Sequence, residues 1–271
     1  MTLPAPASDR TAIVTGASSG IGEQLARALA ARGYGVTLVA RREDRLRKLA
    51  GDLSKSHNVR VEVIAADLTD QSAREDLVKA VAGLGLTVDV LVNNAGFSTT
   101  GRVEQADVDR ELAMIRTNVE AVVHLCSLVI PGMVERRRGA VLNVASTAAF
   151  QPLPGQAGYG ATKAFVLSYG QARAAELRRS GVTLTTLCPG PVQTGFAEAA
   201  GMDEEEAEGS LPKFMWVSAD DVAKAGLDGL DKGRTVVIPG MPNRVLAGVA
   251  QVTPRRIILP IVARQHPSLK N

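Results

Sequence analysis

Between Ala12 and Arg32 an apolar, β-branched run gives way to a glycine-rich turn and then to an amphipathic helical pattern. Few folds accept that order. The run Ala12–Thr15 has the length and composition of a buried strand. The turn reads Thr15-Gly16-Ala17-Ser18-Ser19-Gly20-Ile21-Gly22. In the segment Ile21–Arg32, residues Ile21, Leu25, Ala28 and Leu29 then share one helical face. Glycines let a chain turn tightly and let its backbone approach a ligand, and the helix behind them offers free N–H groups to an anion. The spacing is Gly-x-x-x-Gly-x-Gly, not the wider Gly-x-Gly-x-x-Gly fingerprint, but it stands in the strand–turn–helix context that anion binding needs. Gly16, Ser18, Ser19, Gly20, Ile21 and Gly22 are therefore candidates for holding a pyrophosphate.

The same alternation repeats along the chain. Further strand candidates are Gly35–Ala40, Arg60–Ala65, Val88–Asn93, Gly139–Ala145, Thr183–Cys188 and Thr235–Ile238. Their apolar character, with little polar alternation, marks strands covered on both faces. Helical patterns lie between them at Glu43–Ser54, Gln71–Val81, Val108–Val134, Ala157–Arg179 and Ala219–Leu230. This predicts an α/β fold: one doubly wound parallel sheet of about seven strands with helices on both faces. At 271 residues and without a linker-like composition shift, the chain is read as a single domain.

Composition narrows the partners. The formal charge is only +3, and the dense run Arg136-Arg137-Arg138 reads as a solvated turn, so no nucleic-acid partner is expected. The histidines His57, His124 and His266 are scattered without ligand spacing, so no metal is expected. Cys126 and Cys188 sit in apolar runs and read as buried thiols of a reducing compartment. With neither a signal-peptide pattern nor an unbroken apolar span, the expected location is cytoplasmic, without a transmembrane helix.

The second strand ends in Arg41-Arg42. An NAD-selective site usually places an acid there for the ribose 2′-hydroxyl, whereas guanidinium forks suit a 2′-phosphate. The pattern points to NADP(H), with Ser18 adding a hydroxyl. Farther along, Ser146 closes the fifth strand, and Tyr159 and Lys163 stand four residues apart on the following helix. Positions i and i+4 share a face, so the Lys163 ammonium is expected to lower the Tyr159 pKa from its usual value near 10. Tyr159 then serves as general acid or base, and the Ser146 hydroxyl steadies charge developing on a carbonyl oxygen.

With these residues in place, the sequence resembles the short-chain dehydrogenase/reductase family from about Arg10 to Gly240. The matching pieces are residues 15–22, Asp67-Leu68, Asn93-Asn94-Ala95-Gly96, Asn118, Ser146, Tyr159 with Lys163, and Pro189-Gly190-Pro191-Val192-x-Thr194. The resemblance implies a Rossmann-type fold and a role for each piece. Asp67 and Leu68 would contact adenine. Asn94, Ala95 and Gly96 would shape the cofactor floor. Asn118 would complete a catalytic tetrad with Ser146, Tyr159 and Lys163 by holding a relay water. Pro189, Gly190, Val192 and Thr194 would line the nicotinamide end, and Tyr159 and Lys163 would also touch the cofactor. The family pairs its long helices into homodimers or homotetramers, and either is expected here.

The last residues are less constrained. Core residues 10–240 are followed by an extension over 241–271, and Gly195–Trp216 reads as a substrate lid with an acidic stretch at Glu198–Gly209. Asn243–Gln265 is apolar, broken by Pro254 and Pro260, and resembles the tails of mycolate-type and very-long-chain 3-oxoacyl reductases. It could cover the substrate, cap the core, meet another subunit or touch a membrane surface. The leading expectation is an NADPH-dependent carbonyl reductase or alcohol dehydrogenase, with a bulky, apolar small-molecule substrate such as a 3-oxoacyl chain and a place in lipid metabolism. A nucleotide-binding redox sensor without turnover is the alternative, and the full tetrad argues against it.

Overall fold

The structure, a computed structural model, describes residues 3–194, 212–265 and 269. Seven strands form one parallel sheet: β1 (Arg10–Thr15), β2 (Val36–Ala40), β3 (Val61–Ala65), β4 (Thr87–Asn93), β5 (Gly139–Val144), β6 (Val182–Leu187) and β7 (Val236–Val237). Their order across the sheet is β3-β2-β1-β4-β5-β6-β7. The order reverses between β1 and β4, and that switch point opens a crevice at the carboxyl ends of the strands.

The sheet is two-sided because successive side chains alternate. Ala12, Val14, Val36, Leu38, Val90 and Val92 enter one core, and Ile13, Val39 and Leu91 enter the other. Helices α1 (Gly20–Ala31) and α2 (Glu43–His57) cover the first face, together with α7 (Ala219–Asp231). Helices α3 (Gln71–Gly83), α5 (Ala121–Glu135) and α6 (Ala157–Glu176) cover the second. The two cysteines are free and buried, as their apolar runs imply.

Three details depart from the sequence reading. Val108–Val134 is not one regular α-helix: α4 (Val108–Ile115) passes through a π-turn over Arg116–Glu120 into α5. This combined helix is long and apolar enough to cross a membrane by length and composition alone. Its residues Leu125, Cys126, Val129 and Met133 nevertheless pack into the second core, which is the position of a core helix. Next, the Arg136–Arg138 turn is more than solvated. Arg138 Nε donates to the buried Asp89 carboxylate at 2.7 Å, and Arg136 Nη2 donates to Val88 C=O at 3.2 Å. The charges are held because Asp89 needs partners in a low-dielectric position. Finally, the tail forms α8 (Met241–Val252) and α9 (Arg255–Gln265). Pro254 separates them, but Pro260 lies inside α9, which continues past it although that residue can donate no hydrogen bond. Of the expected lid, residues 195–211 and its acidic stretch lie outside the described residues.

Candidate active site

The crevice is pinned by one hydroxyl. Thr15, the last residue of β1, donates from Oγ1 to Val92 C=O at 3.1 Å. The same oxygen accepts the N–H groups of Asn94 and Ala95, each at 3.0 Å. Asn94 Nδ2 in turn donates to Thr15 C=O at 2.9 Å. The ends of β1 and β4 are thereby fixed together beneath the glycine turn. A side chain on Gly16, whose φ is +67°, would place its Cβ 2.8 Å from Asn94 Nδ2 and 2.9 Å from Ala95 Cα. Gly22 is packed as closely against Gly16 C=O and Asn94. The turn thus combines positive φ with close approach of backbone to backbone. Helix α1 begins after Ser19 with no side-chain cap, so its first N–H groups face the crevice mouth available to an anion.

Arg42 completes this half. Its Nη2 donates to Ser18 Oγ at 2.9 Å and to Ser19 Oγ at 2.8 Å. Its pKa is lowered by partial burial and by the nearby Arg45 and Arg41 charges, an arrangement that an added anion would relieve. Among the described residues it is Arg42, not Arg41, that hydrogen bonds to the turn. Uncapped helix, glycine cradle and arginine-bridged serines together fit a dinucleotide with a further phosphate on its ribose. Thr194 lies against the turn, where a Cβ on Gly20 would be 3.1 Å from its side chain. Val192 is fixed by a β-bridge to Val217. A Cβ on Gly190 would meet the Asn243 side chain at 2.5 Å.

At the far side of β3, Asp67 is exposed and ties to Thr69, while Leu68 is buried. Leu68 C=O is held by a residue the sequence reading passed over. Arg74, only 1% exposed, donates to it from Nη1 at 2.8 Å. It also donates to Glu120 Oε1 and His124 Nδ1, both at 3.1 Å. An arginine in a polar helical pattern looks solvated, and its side-chain partners Glu120 and His124 lie 46 and 50 residues away in sequence, so local spacing carries no sign of it.

The reacting half is built on β5, α6 and the π-turn. Ser146 follows β5, and its Oγ accepts Ala148 N–H at 3.1 Å and donates weakly to Pro189 C=O at 3.5 Å. It also hydrogen bonds to Tyr159. Lys163 donates from Nζ to Val144 C=O at 2.9 Å and lies 5.7 Å from the Tyr159 ring centroid. Asn118 is 1% exposed. Its Oδ1 accepts Phe97 N–H at 3.1 Å, and its Nδ2 donates to Phe97 C=O at 3.0 Å and to Thr162 Oγ1 at 3.1 Å. Gly96 lets Asn118 and Lys163 pack closely against the backbone, because a Cβ there would stand only 2.9 Å from Asn118 Oδ1 and 3.4 Å from Lys163 Nζ.

One electrostatic expectation is reversed. Burial pushes the Tyr159 phenol up to about 12, and the Ser146 hydrogen bond pulls the other way without overcoming it. Burial also draws the Lys163 ammonium down to about 8, partly offset by Cys188. The i, i+4 pair does share a face, but Nζ is directed to Val144 C=O and lies over the ring, so desolvation dominates both groups.

A model of the short chain dehydrogenase family matches residues 10–205. The chain belongs to the short-chain dehydrogenase family. An uncharacterized oxidoreductase of Staphylococcus epidermidis is 35% identical over 198 residues, covering 73% of this chain and 84% of that protein. The very-long-chain 3-oxoacyl-CoA reductase of Anas platyrhynchos is 37% identical over 193 residues, covering 69% of this chain and 61% of that reductase. A solved short-chain dehydrogenase from Sphingobium yanoikuyae in complex with NADPH superposes with a TM-score of 0.79 at 33% identity, covering 89% of this chain and 94% of that one. This short-chain dehydrogenase therefore shares its seven-stranded fold with oxidoreductases.

Proposed function

We propose that this short-chain dehydrogenase is an NADPH-dependent carbonyl reductase acting on bulky, apolar ketones, with 3-oxoacyl chains as the leading class. The observation that carries this reading is the meeting of two half-sites across the switch point. One is the Arg42–Ser18–Ser19 phosphate seat at the start of α1. The other is Ser146, Tyr159 and Lys163, with Asn118 packed beside Lys163 against Gly96. The NADPH complex of the Sphingobium relative and the name of the duck reductase support the cofactor and the substrate class.

Bound NADPH would supply a hydride to the carbonyl carbon. The protein's own groups handle the oxygen. Ser146 donates a hydrogen bond to it, and Tyr159 delivers the proton, which leaves an alcohol. A phenol held at about 12 is protonated at neutral pH, the form that reduction requires. Lys163, whose Nζ lies 5.7 Å from the Tyr159 ring centroid, would return the proton to Tyr159, with Asn118 holding the Phe97 backbone beside it. The tail supports an apolar mouth. Asn243 of α8 donates to Met215 C=O at 2.8 Å, and Arg255 of α9 donates to Phe150 C=O at 3.2 Å, so both tail helices brace the rim around the site. The outward α5 and α6 residues Leu128 and Phe165 suit pairing with a second copy.

Cofactor consumption over a carbonyl panel tests the reading. NADPH should be preferred to NADH by about ten- to hundredfold, the worth of a charge-assisted contact, and Arg42→Ala should remove most of that preference. Equal use of both cofactors by the unaltered enzyme, or turnover confined to small polar ketones, would refute it.

A further inference from the structure

Helix α8 is built inside out. Its inner face carries the small buried residues Ala247 and Ala250 with Asn243. Its outer face carries Met241, Val245, Val249 and Val252, at i, i+4, i+8 and i+11 on one stripe. Val252 is 82% exposed and Met241 is 65% exposed. Helix α9 repeats the pattern with Ile257 and Ile261 outward. Exposed apolar residues scattered singly need no explanation, but two consecutive helices that each carry an outward apolar stripe make a surface that needs an occupant.

Charge identifies that occupant. Seven lysines and arginines follow Asp231, and no aspartate or glutamate does, although the whole chain carries only +3. The body is therefore net acidic and the tail strongly basic. Arg244, Arg256 and Arg264 are exposed beside the two stripes. A symmetric contact with a second copy would bring these arginines toward their own images, with no tail carboxylate to meet them. Outward apolar stripes flanked only by cations are the composition that lies on an anionic lipid surface.

We infer that α8 and α9 form a docking surface for an anionic lipid bilayer, with the apolar stripes in the headgroup boundary and the arginines among lipid phosphates. The surface is tied to the site rim through Asn243 to Met215 and Arg255 to Phe150. Docking therefore sets the mouth of the site close to the bilayer. The consequence for substrate entry rests on the proposed apolar-ketone activity, whereas the docking does not.

The test is co-sedimentation of the full-length protein with vesicles of phosphatidylcholine alone and of phosphatidylcholine with phosphatidylglycerol, without any turnover. The anionic vesicles should bind at least about tenfold more tightly, and added salt should weaken the binding. Val249→Asp with Val252→Asp should abolish it. The milder Val252→Ser should weaken it. Both variants should keep NADPH binding and turnover of a short soluble ketone. Failure of the unaltered protein to bind anionic vesicles, or equal binding to both kinds, would overturn the inference. So would unchanged vesicle binding by the double variant alongside loss of a dimer in sedimentation, because the face would then belong to a second copy. Loss of ketone turnover with vesicle binding intact would count against the proposed reaction only.

Discussion

At the scale of single residues, the site works by desolvation. Tyr159 and Lys163 are both buried, and burial moves their pKa values apart, to about 12 and about 8. For Lys163 the linkage has a definite sign. The folded protein releases this proton near pH 8, whereas the unfolded chain keeps it until about 10.5. Between those values the unfolded state binds more protons, so stability rises with pH. The contribution is complete above about 10.5 and lost as the pH falls through about 8. The shift corresponds to about 3 kcal/mol. Lys163→Met should abolish this dependence in the cofactor-free protein. Its stability advantage over the unaltered chain should shrink from pH 8 to pH 10, measured by urea unfolding across that window. Tyr159 acts with the opposite sign, and only above its ordinary value of 10. A pH-independent difference between the two proteins would show that Lys163 keeps its ordinary pKa. The residue types at positions 146, 159 and 163 are plain in the sequence. Their protonation is not, because the balance of burial against hydrogen bonding depends on atoms brought from β5 and β6.

At the scale of elements, the π-turn between α4 and α5 bears most directly on the site. It widens one turn of a helix so that Asn118 can reach Phe97, where its amide satisfies both backbone groups of that residue. Asn118→Leu keeps the volume and removes all three hydrogen bonds. The expected cost is about 1–3 kcal/mol for the buried groups left unpaired. Turnover should also fall, because the same side chain packs with Lys163 against Gly96. Chemical denaturation and kcat on the same variant check this, and unchanged stability would mean that Phe97 finds other partners. Helical periodicity marks the whole of Val108–Val134 as apolar but cannot show one widened turn within it. The strands were more legible. Buried parallel strands need continuous apolar runs, and β1, β2, β4 and β5 have them. The strand expected at Thr235–Ile238 shortens to Val236–Val237, an edge strand paired on one side only.

At the scale of the molecule, the sheet order explains why residues so far apart in sequence form one site. Winding outward in both directions from β1 and β4 leaves the glycine turn and Thr15 on one side of the crevice and Ser146 on the other. Strand–helix alternation predicts that plan, since a parallel sheet demands crossovers. It does not predict how the tail sits on the rim. That depends on contacts such as Asn243 with Gly190 and Arg255 with Phe150, which no periodicity encodes. Nor does it reveal Arg74, whose fork ties the Leu68 turn to Glu120 of the π-turn and to His124 of α5.

The central claim is that one half of the crevice binds the dinucleotide and the other half performs the proton transfer. Tyr159→Phe separates the two, because it removes only the phenolic oxygen. NADPH affinity by fluorescence titration should stay within about twofold, while kcat for ketone reduction falls by about 10²- to 10⁴-fold, the usual worth of a general acid. Retention of most of the turnover by this variant would contradict the account.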